Sequence, residues 1–382
     1  MLFTLEALNA RHGDALLLHY GTAAAPRLVV IDGGPGGVWK RLRGRLDALR
    51  DSRAPDGDLP IRLVMVSHID DDHIGGLLGL VRALRDPLAE NRPSYRIDAF
   101  WHNAFEDVVR PPAAASASVA AVQALSQGEG PTVRGLDEQG RMVVASVAQG
   151  RQLRDAVNVL GIEVNAPFGA LVVRDSPANP FQLEGGPSLA VIGPAQEQVD
   201  ALQAEWEKQV ERARERGAST QEMEAITAAY LDRSAYNLAS IVVLAEAGGK
   251  RMLLTGDARG DHVLAGLEAQ GALQPGGTMH VDLLKLPHHG SIRNVDRDFF
   301  ERVTADHYVV SADGRHHNPD VETFELLTDV RGDAEYTLHL TNRVPAVSAF
   351  LEREGPRRRF HVVYRDEDAP SVRVELGEPL AD

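Results

Sequence analysis

Ser67-His68-Ile69-Asp70-Asp71-Asp72-His73-Ile74-Gly75-Gly76 sets two histidines and three aspartates among six consecutive positions, directly after the apolar run Leu63-Val64-Met65-Val66. That run reads as a strand. The aliphatics from Ile74 to Leu84 fall at helical spacing, so the polar residues occupy a strand-to-helix turn. Imidazole nitrogens and carboxylate oxygens are ligands that zinc, manganese and iron accept, and three adjacent carboxylates repel one another unless a cation neutralises them. Gly75 and Gly76 allow another backbone to approach without a side-chain clash. The stretch therefore reads as a metal-binding loop, against the plainer alternative of a solvated acidic turn.

The pattern His-x-Asp-x-Asp-His resembles the His-x-His-x-Asp-His signature of the metallo-β-lactamase-fold hydrolases, with Asp70 in place of the second histidine. Three further segments carry the likeness in order. They are His12 to Leu18 followed by Leu28-Val29-Val30-Ile31-Asp32-Gly33-Gly34, then Leu253-Leu254-Thr255-Gly256-Asp257-Ala258, then Leu284-Lys285-Leu286-Pro287-His288-His289-Gly290-Ser291. Together they most resemble the soluble hydrolase domain of the ComEC-type competence proteins. The resemblance implies an α/β fold, a four-layer αββα sandwich with the metals at one edge between the sheets, in a single domain over residues 1–382.

It also implies roles. His68 and Asp70 would hold one divalent cation, Asp72 and His73 a second, and Asp257 would bridge them. His288 is expected as the remaining ligand of the second metal, with His289 as its rival or as a catalytic proton donor. Asp72 would additionally orient the attacking water, a metal-bridging hydroxide. Asp14 and Asp32 are candidates for hydrogen bonds to ligand imidazoles, or for structural aspartates in tight turns. The third histidine of the superfamily pattern is missing, because Ser234-Ala235-Tyr236-Asn237-Leu238-Ala239-Ser240 occupies its stretch. Asn237 offers only a neutral carbonyl oxygen there, and His102 is a second candidate for the absent nitrogen. The first site would then be oxygen-rich, which favours manganese or magnesium beside zinc. Lys285 and Ser291 suit a phosphate diester, and His316 or His317 would take the substrate-facing place that Asn318 vacates in a family segment ending Gly-His-Pro.

The chain of 382 residues is 43% hydrophobic and 25% charged, enough apolar side chain for a large core. It has no cysteine, so every protein ligand to a metal must be His, Asp or Glu. No apolar run has membrane-spanning length and no secretory pattern opens the sequence, which gives the expectation of a cytoplasmic protein with no membrane partner. ComEC-type proteins owe transport to membrane segments, so DNA uptake does not carry over. A formal net charge of −15 disfavours a broad nucleic-acid surface, and Arg357-Arg358-Arg359 is the only compact basic run.

Leu2 to Leu8, Ala15 to Tyr20 and Arg27 to Ile31 read as an antiparallel meander, and Trp39 to Leu49 as a helix. Helical insertions are expected at about 110–164, with helices over Ala115 to Leu125 and Met142 to Leu160, and at 195–234. The latter begins with Val199, Leu202, Trp206, Val210 and Ala213 at helical spacing and continues past a capping box at Ser219-Thr220-Gln221-Glu222 as a helical hairpin. That hairpin is a candidate contact for a second copy of the chain or a protein partner. Ile241 to Leu244, Arg251 to Leu254, Val281 to Leu286 and His307 to Val310 read as strands, and Phe360 to Tyr364 with Ser371 to Val374 as a final hairpin.

The leading expectation is a metal-dependent phosphodiesterase or nuclease acting on short or single-stranded nucleic acid or on nucleotides. A lactone, thioester or carboxylic ester hydrolase is the alternative within the same chemistry, and a non-catalytic binding or effector protein with a structural metal is the alternative outside it.

Overall fold

Sequential strands in the first thirty residues alternate so that neighbouring side chains enter different cores. Leu16, Leu18, Tyr20, Val29 and Ile31 pack into the space between two sheets, while Leu17, Leu28 and Val30 face helices on the other side. The same alternation recurs later, with Val243, Ala245, Met252 and Leu254 turned inward and Val242, Leu244 and Leu253 turned outward. Sheets that are apolar on both faces must be covered on both, and four layers follow.

The computed structural model describes residues 1–86, 93–103, 138–217 and 240–380. The first sheet has seven strands in the order β17 (Ser371–Glu375), β1 (Leu2–Leu8), β2 (Leu16–Thr22), β3 (Ala25–Ile31), β5 (Leu63–Met65), β7 (Ala99–Trp101) and β8 (Glu163–Val164). The second has eight, in the order β16 (Phe360–Tyr364), β15 (Tyr336–Leu340), β14 (Val303–Val310), β13 (Met279–Lys285), β12 (Lys250–Leu254), β11 (Val242–Ala247), β10 (Ser188–Gly193) and β9 (Phe181–Gln182). A small parallel pair, β4 (Leu59–Ile61) and β6 (Tyr95–Ile97), stands apart.

Helices α1 (Trp39–Arg53), α2 (Asp71–Arg85), α3 (Glu138–Val159) and α4 (Gln196–Glu215) supply the core outside the first sheet. Outside the second lie α5 (Gly260–Ala269), α6 (Arg297–Arg302), α7 (Val321–Arg331) and α8 (Pro345–Glu354). Each of these four helices joins consecutive parallel strands from β12 to β16, the connection that parallel pairing requires. Among the described residues no helix is long and apolar enough to cross a membrane.

The expected final hairpin is not formed. β16 pairs in parallel with β15 in the second sheet, whereas β17 pairs antiparallel with β1 in the first. Phe360 is buried in the outer core and Val372 and Val374 in the core between the sheets, so the chain must cross from one sheet to the other. Arg365 holds that crossing by donating to the carbonyls of Asp366, Glu367 and Ala369. A short polar link between two β-rich runs had the local signature of a hairpin but not its pairing.

Of the two insertions, residues 104–137 and 218–239 lie outside the described residues, and with them the helix expected over Ala115 to Leu125, the second arm of the hairpin and Asn237. The described part of the first is α3, whose Leu153, Ala156 and Val157 join the α2 core; Gln149 donates to Asp71 at 2.9 Å and Gln152 accepts from Arg82 at 2.9 Å. The stripe Val199, Leu202, Trp206 and Ala213 of α4 is spent on this chain's own core.

Helix α2 seats the metal loop. Asp71 and Asp72 lie in its first turn and Arg82 and Arg85 in its last, each favourable to the helix dipole. Its glycines press on the Asp32 to Gly37 loop: a Cβ on Gly75 would stand 2.2 Å from the Gly36 nitrogen, and one on Gly76 2.0 Å from the Gly33 oxygen. Gly76→Ala is therefore expected to destabilise the protein by about 1–3 kcal/mol through overpacking and to weaken divalent-metal binding. Gly44→Ala on the exposed side of α1, where nothing lies within 4 Å, should be neutral or stabilising by about 0.5–1 kcal/mol. Thermal unfolding of the two variants checks this, and equal shifts would contradict it.

Candidate metal centre

Strand register brings the polar loops together. Leu254 of β12 pairs in parallel with Lys285 of β13, so the residues three positions on, Asp257 and His288, leave the sheet side by side. Ile31 of β3 pairs in parallel with Met65 of β5, which places Asp32 beside the His68 loop in the other sheet. The carboxyl ends of parallel strands are where open α/β sheets bind ligands. The Ile241 amide donates to the Ser67 carbonyl at 2.7 Å across the sandwich, and within the second sheet the His288 amide donates to the Gly256 carbonyl at 3.0 Å. His288 and His289 both take left-handed backbone, φ 45° and 55°, a strain of about 1–3 kcal/mol each that turns both rings toward Asp257.

Two sets of donor atoms divide the Asp257 carboxylate between them. Its Oδ2 lies 3.6 Å from His68 Nε2 and 3.5 Å from His288 Nε2, and His68 Nε2 is 3.5 Å from Asp70 Oδ2. Its Oδ1 lies 3.4 Å from His73 Nε2 and 3.6 Å from His289 Nε2, and His289 Nε2 is 3.4 Å from Asp72 Oδ2. The structure thus groups His289, rather than the expected His288, with Asp72 and His73. His288 instead shares the Asp257 Oδ2 atom with His68. Each set then offers two nitrogens and two oxygens.

The imidazoles are aimed from behind. His73 Nδ1 donates to Asp32 Oδ2 at 2.9 Å, and Asp32 also accepts from the Ser67 amide at 2.7 Å and the Ser67 hydroxyl at 2.6 Å. His289 Nδ1 donates to the Ser311 carbonyl at 2.9 Å and His288 Nδ1 to Asn294 Oδ1 at 2.8 Å, while Asn294 Nδ2 donates to the Asp257 carbonyl at 2.9 Å. His68 Nδ1 faces the Ser67 hydroxyl at 3.3 Å. With Nδ1 engaged in every ring, Nε2 is the atom presented to the centre.

The presented atoms are orphans. His68 Nε2, His73 Nε2, His289 Nε2 and Asp257 Oδ1 are buried without a hydrogen-bond partner, each an expense of about 1–3 kcal/mol if left so. A cation satisfies nitrogen and oxygen lone pairs at once, and the residues therefore fit a metal. Without one, protons must do the work. Burial opposes a charged His289, but the carboxylates of Asp257 and Asp14 outweigh it and push the imidazole up to about 10; His73 is likewise raised well above its ordinary value, against burial, by Asp257, Asp32 and Asp72. Burial also works against ionised Asp257 and Asp72, yet the surrounding imidazoles hold both well below the usual carboxylate range.

Asp14 belongs behind the centre. Its Oδ2 pairs with Lys285 Nζ at 2.8 Å and its Oδ1 lies 3.5 Å from His289 Nδ1, with Asp14 and Lys285 both buried. Lys285 is thus shut off from any substrate. Ser291 is buried too, its hydroxyl directed at Asp320 3.5 Å away. His102 packs against Phe100 and is pushed down to about 4 by burial. The exposed ring of His316, not that of His317, meets His12, with centroids 5.3 Å apart. Asn294, Ser67 and the Ser311 carbonyl escaped sequence reading, since single polar residues and a backbone carbonyl carry no motif, whereas Asp32, a candidate partner for an imidazole, lies 2.9 Å from His73 Nδ1.

Residues 27–120 match the family model described as the Metallo-beta-lactamase superfamily. No curated protein matches the chain. Among solved structures it is similar to zinc-bound PqqB from Methylobacterium extorquens, at 13% identity over 96% of this chain and 88% of that one, with a TM-score of 0.43. It is also similar to the metallo-beta-lactamase fold protein YhfI from Bacillus subtilis, at 10% identity over 98% of this chain and 100% of that one, with a TM-score of 0.40. The matched segment holds the first ligand loop, so the similarity to the metallo-β-lactamase superfamily falls on the part of the chain that carries His68, Asp70, Asp72 and His73.

Proposed function

We propose that the protein is a two-metal hydrolase of phosphodiester bonds in nucleotides or in short, single-stranded nucleic acid. The observation that carries this reading is the division of the Asp257 carboxylate between two sets of donors, one with His68, Asp70 and His288 and one with Asp72, His73 and His289. These seven residues would hold the cations, and a two-nitrogen, two-oxygen set at each suits zinc or manganese better than magnesium. Two such ions, when bound, supply Lewis acidity that ionises water near neutral pH and stabilises negative charge on an attacked ester.

The chain's own residues set direction and access. Asp70, Asp72 and His288 are the part-exposed donors, with side chains 35%, 25% and 31% accessible, so substrate approaches from their side. Asp72 there can accept the proton of the attacking water. His289 cannot serve as the proton donor to a leaving group, because its Nδ1 is committed to Ser311 and its Nε2 points inward. The polar opening favours an ionic ester over an apolar acyl group, and the charge of −15 favours short substrates over long duplex. The motif likeness to ComEC-type hydrolase domains points the same way.

Three outcomes are expected. Asp257→Asn should abolish hydrolysis of bis-p-nitrophenyl phosphate, about 1,000-fold or more, with the fold intact by circular dichroism; wild-type turnover would remove Asp257 from the mechanism. His288→Ala and His289→Ala should each lose about one metal equivalent by elemental analysis, while retention of both ions in either variant would reject that histidine as a ligand. A lactone panel active in place of the diester would favour the carboxylic ester alternative. Since neighbouring carboxylates raise His73 above the ordinary imidazole value and His289 to about 10, loading the metal-free protein should release protons, so affinity falls as pH falls. Calorimetry in buffers of different ionisation enthalpy reads this directly, and proton-neutral binding would refute it.

A further inference from the structure

Two loops outside the ligand set are hydrogen-bonded to each other and to two of its part-exposed members, one loop to Asp72 and the other to His288. In the first, Gly13 lies so close to the metal loop that a Cβ would stand 1.9 Å from the Asp72 carbonyl oxygen, and the Asp14 amide donates to that oxygen at 3.1 Å. In the second, the Ser311 hydroxyl donates to the Gly13 carbonyl at 2.7 Å and Asn318 Nδ2 to the His288 carbonyl at 3.4 Å. His12 and His316 project from these loops and touch edge to face.

Their backbone and polar atoms are not arranged for stability. His316 and His317 both occupy left-handed backbone, φ 56° and 70°, although neither is a glycine. Such strain at exposed residues is not compensated by packing there, and it collects at functional positions. His12 Nδ1 is buried with no hydrogen-bond partner. Burial lowers His12 below the ordinary imidazole value, with Arg315 and His316 of the facing loop acting the same way and Asp72 and Asp313 against it, so the ring stands there as a neutral N–H donor. In the facing loop Asp313 accepts the Arg315 amide at 3.0 Å.

We infer that His12 and His316 form a specificity-determining pair that grips a phosphoryl oxygen of the substrate next to the scissile bond, with Arg315 adding positive charge. This rests on the phosphodiester reading and names the contact that would select it. The ligand set behind Asp72 is rich in carboxylates, so an anionic substrate needs donors at the entrance to offset them. Two N–H groups and a guanidinium match a tetrahedral oxyanion; an uncharged acyl group would leave them unused.

The test is calorimetric titration of inorganic phosphate into the manganese-loaded full chain, with acetate in parallel and metal content measured on each sample. His12→Ala and His316→Ala should each weaken phosphate about ten-fold with both metals retained. His316→Gly, which suits the left-handed backbone, should lose as much as His316→Ala, and His12→Gln, which keeps an N–H donor, should recover most of the loss. Acetate affinity should not move. Unchanged phosphate affinity in both alanine variants overturns the pair, and an equal loss for acetate overturns its phosphoryl selectivity. Phosphate binding that depends on the pair, without turnover of bis-p-nitrophenyl phosphate, upholds the contact and sinks the hydrolytic reading instead.

Discussion

The structure depends on compensating buried negative charge at the carboxyl edge of two sheets. Asp14, Asp32 and Asp257 are almost wholly buried, and an ionised carboxylate in that setting costs several kcal/mol unless it is paired. Lys285 answers Asp14, and Asp32 is answered by Ser67 and His73. Asp257 has only imidazoles, from four directions, and none of them makes a hydrogen bond with its Oδ1. Protons on those rings are one means of balancing the charge; a pair of cations is the other, and it also satisfies the orphaned nitrogens.

The surrounding architecture converts this balance into fixed geometry. Parallel register sets Asp257 beside the His288 turn, and Asn294 locks the two by accepting a hydrogen bond from the His288 ring and donating one to the Asp257 carbonyl. Ser67 couples Asp32 to the rings of His68 and His73 through one hydroxyl. Gln149 of α3 holds Asp71 away, which explains why the middle member of three consecutive aspartates stays outside both donor sets. The cost appears as left-handed backbone at His288 and His289, strain that the rest of the sandwich must over-determine.

Much of this was legible in the sequence, because the loops that carry chemistry sit next to apolar runs of strand period. The meander, α1, α2 and the strands leading to Asp257 and His288 follow from periodicity, and the donor residues from their density. What periodicity cannot express is partnership at long range. The runs at Phe360 and Ser371 look like neighbours and lie in different sheets, because their apolar faces belong to different cores. Sequence also leaves open which of the adjacent histidines stands with His73, since the φ angles of the turn decide which ring lies near which oxygen of Asp257. Lys285 and Ser291 read as substrate contacts from composition alone, while burial puts both behind the site.

The most direct measurement is anomalous diffraction from crystals of the full chain loaded with manganese or zinc, recorded at the metal's absorption edge. The account predicts two peaks about 3.5–4 Å apart, on either side of Asp257. One would be bound by His68, Asp70 and His288 and the other by Asp72, His73 and His289. A single peak, or two that do not share Asp257, would contradict it.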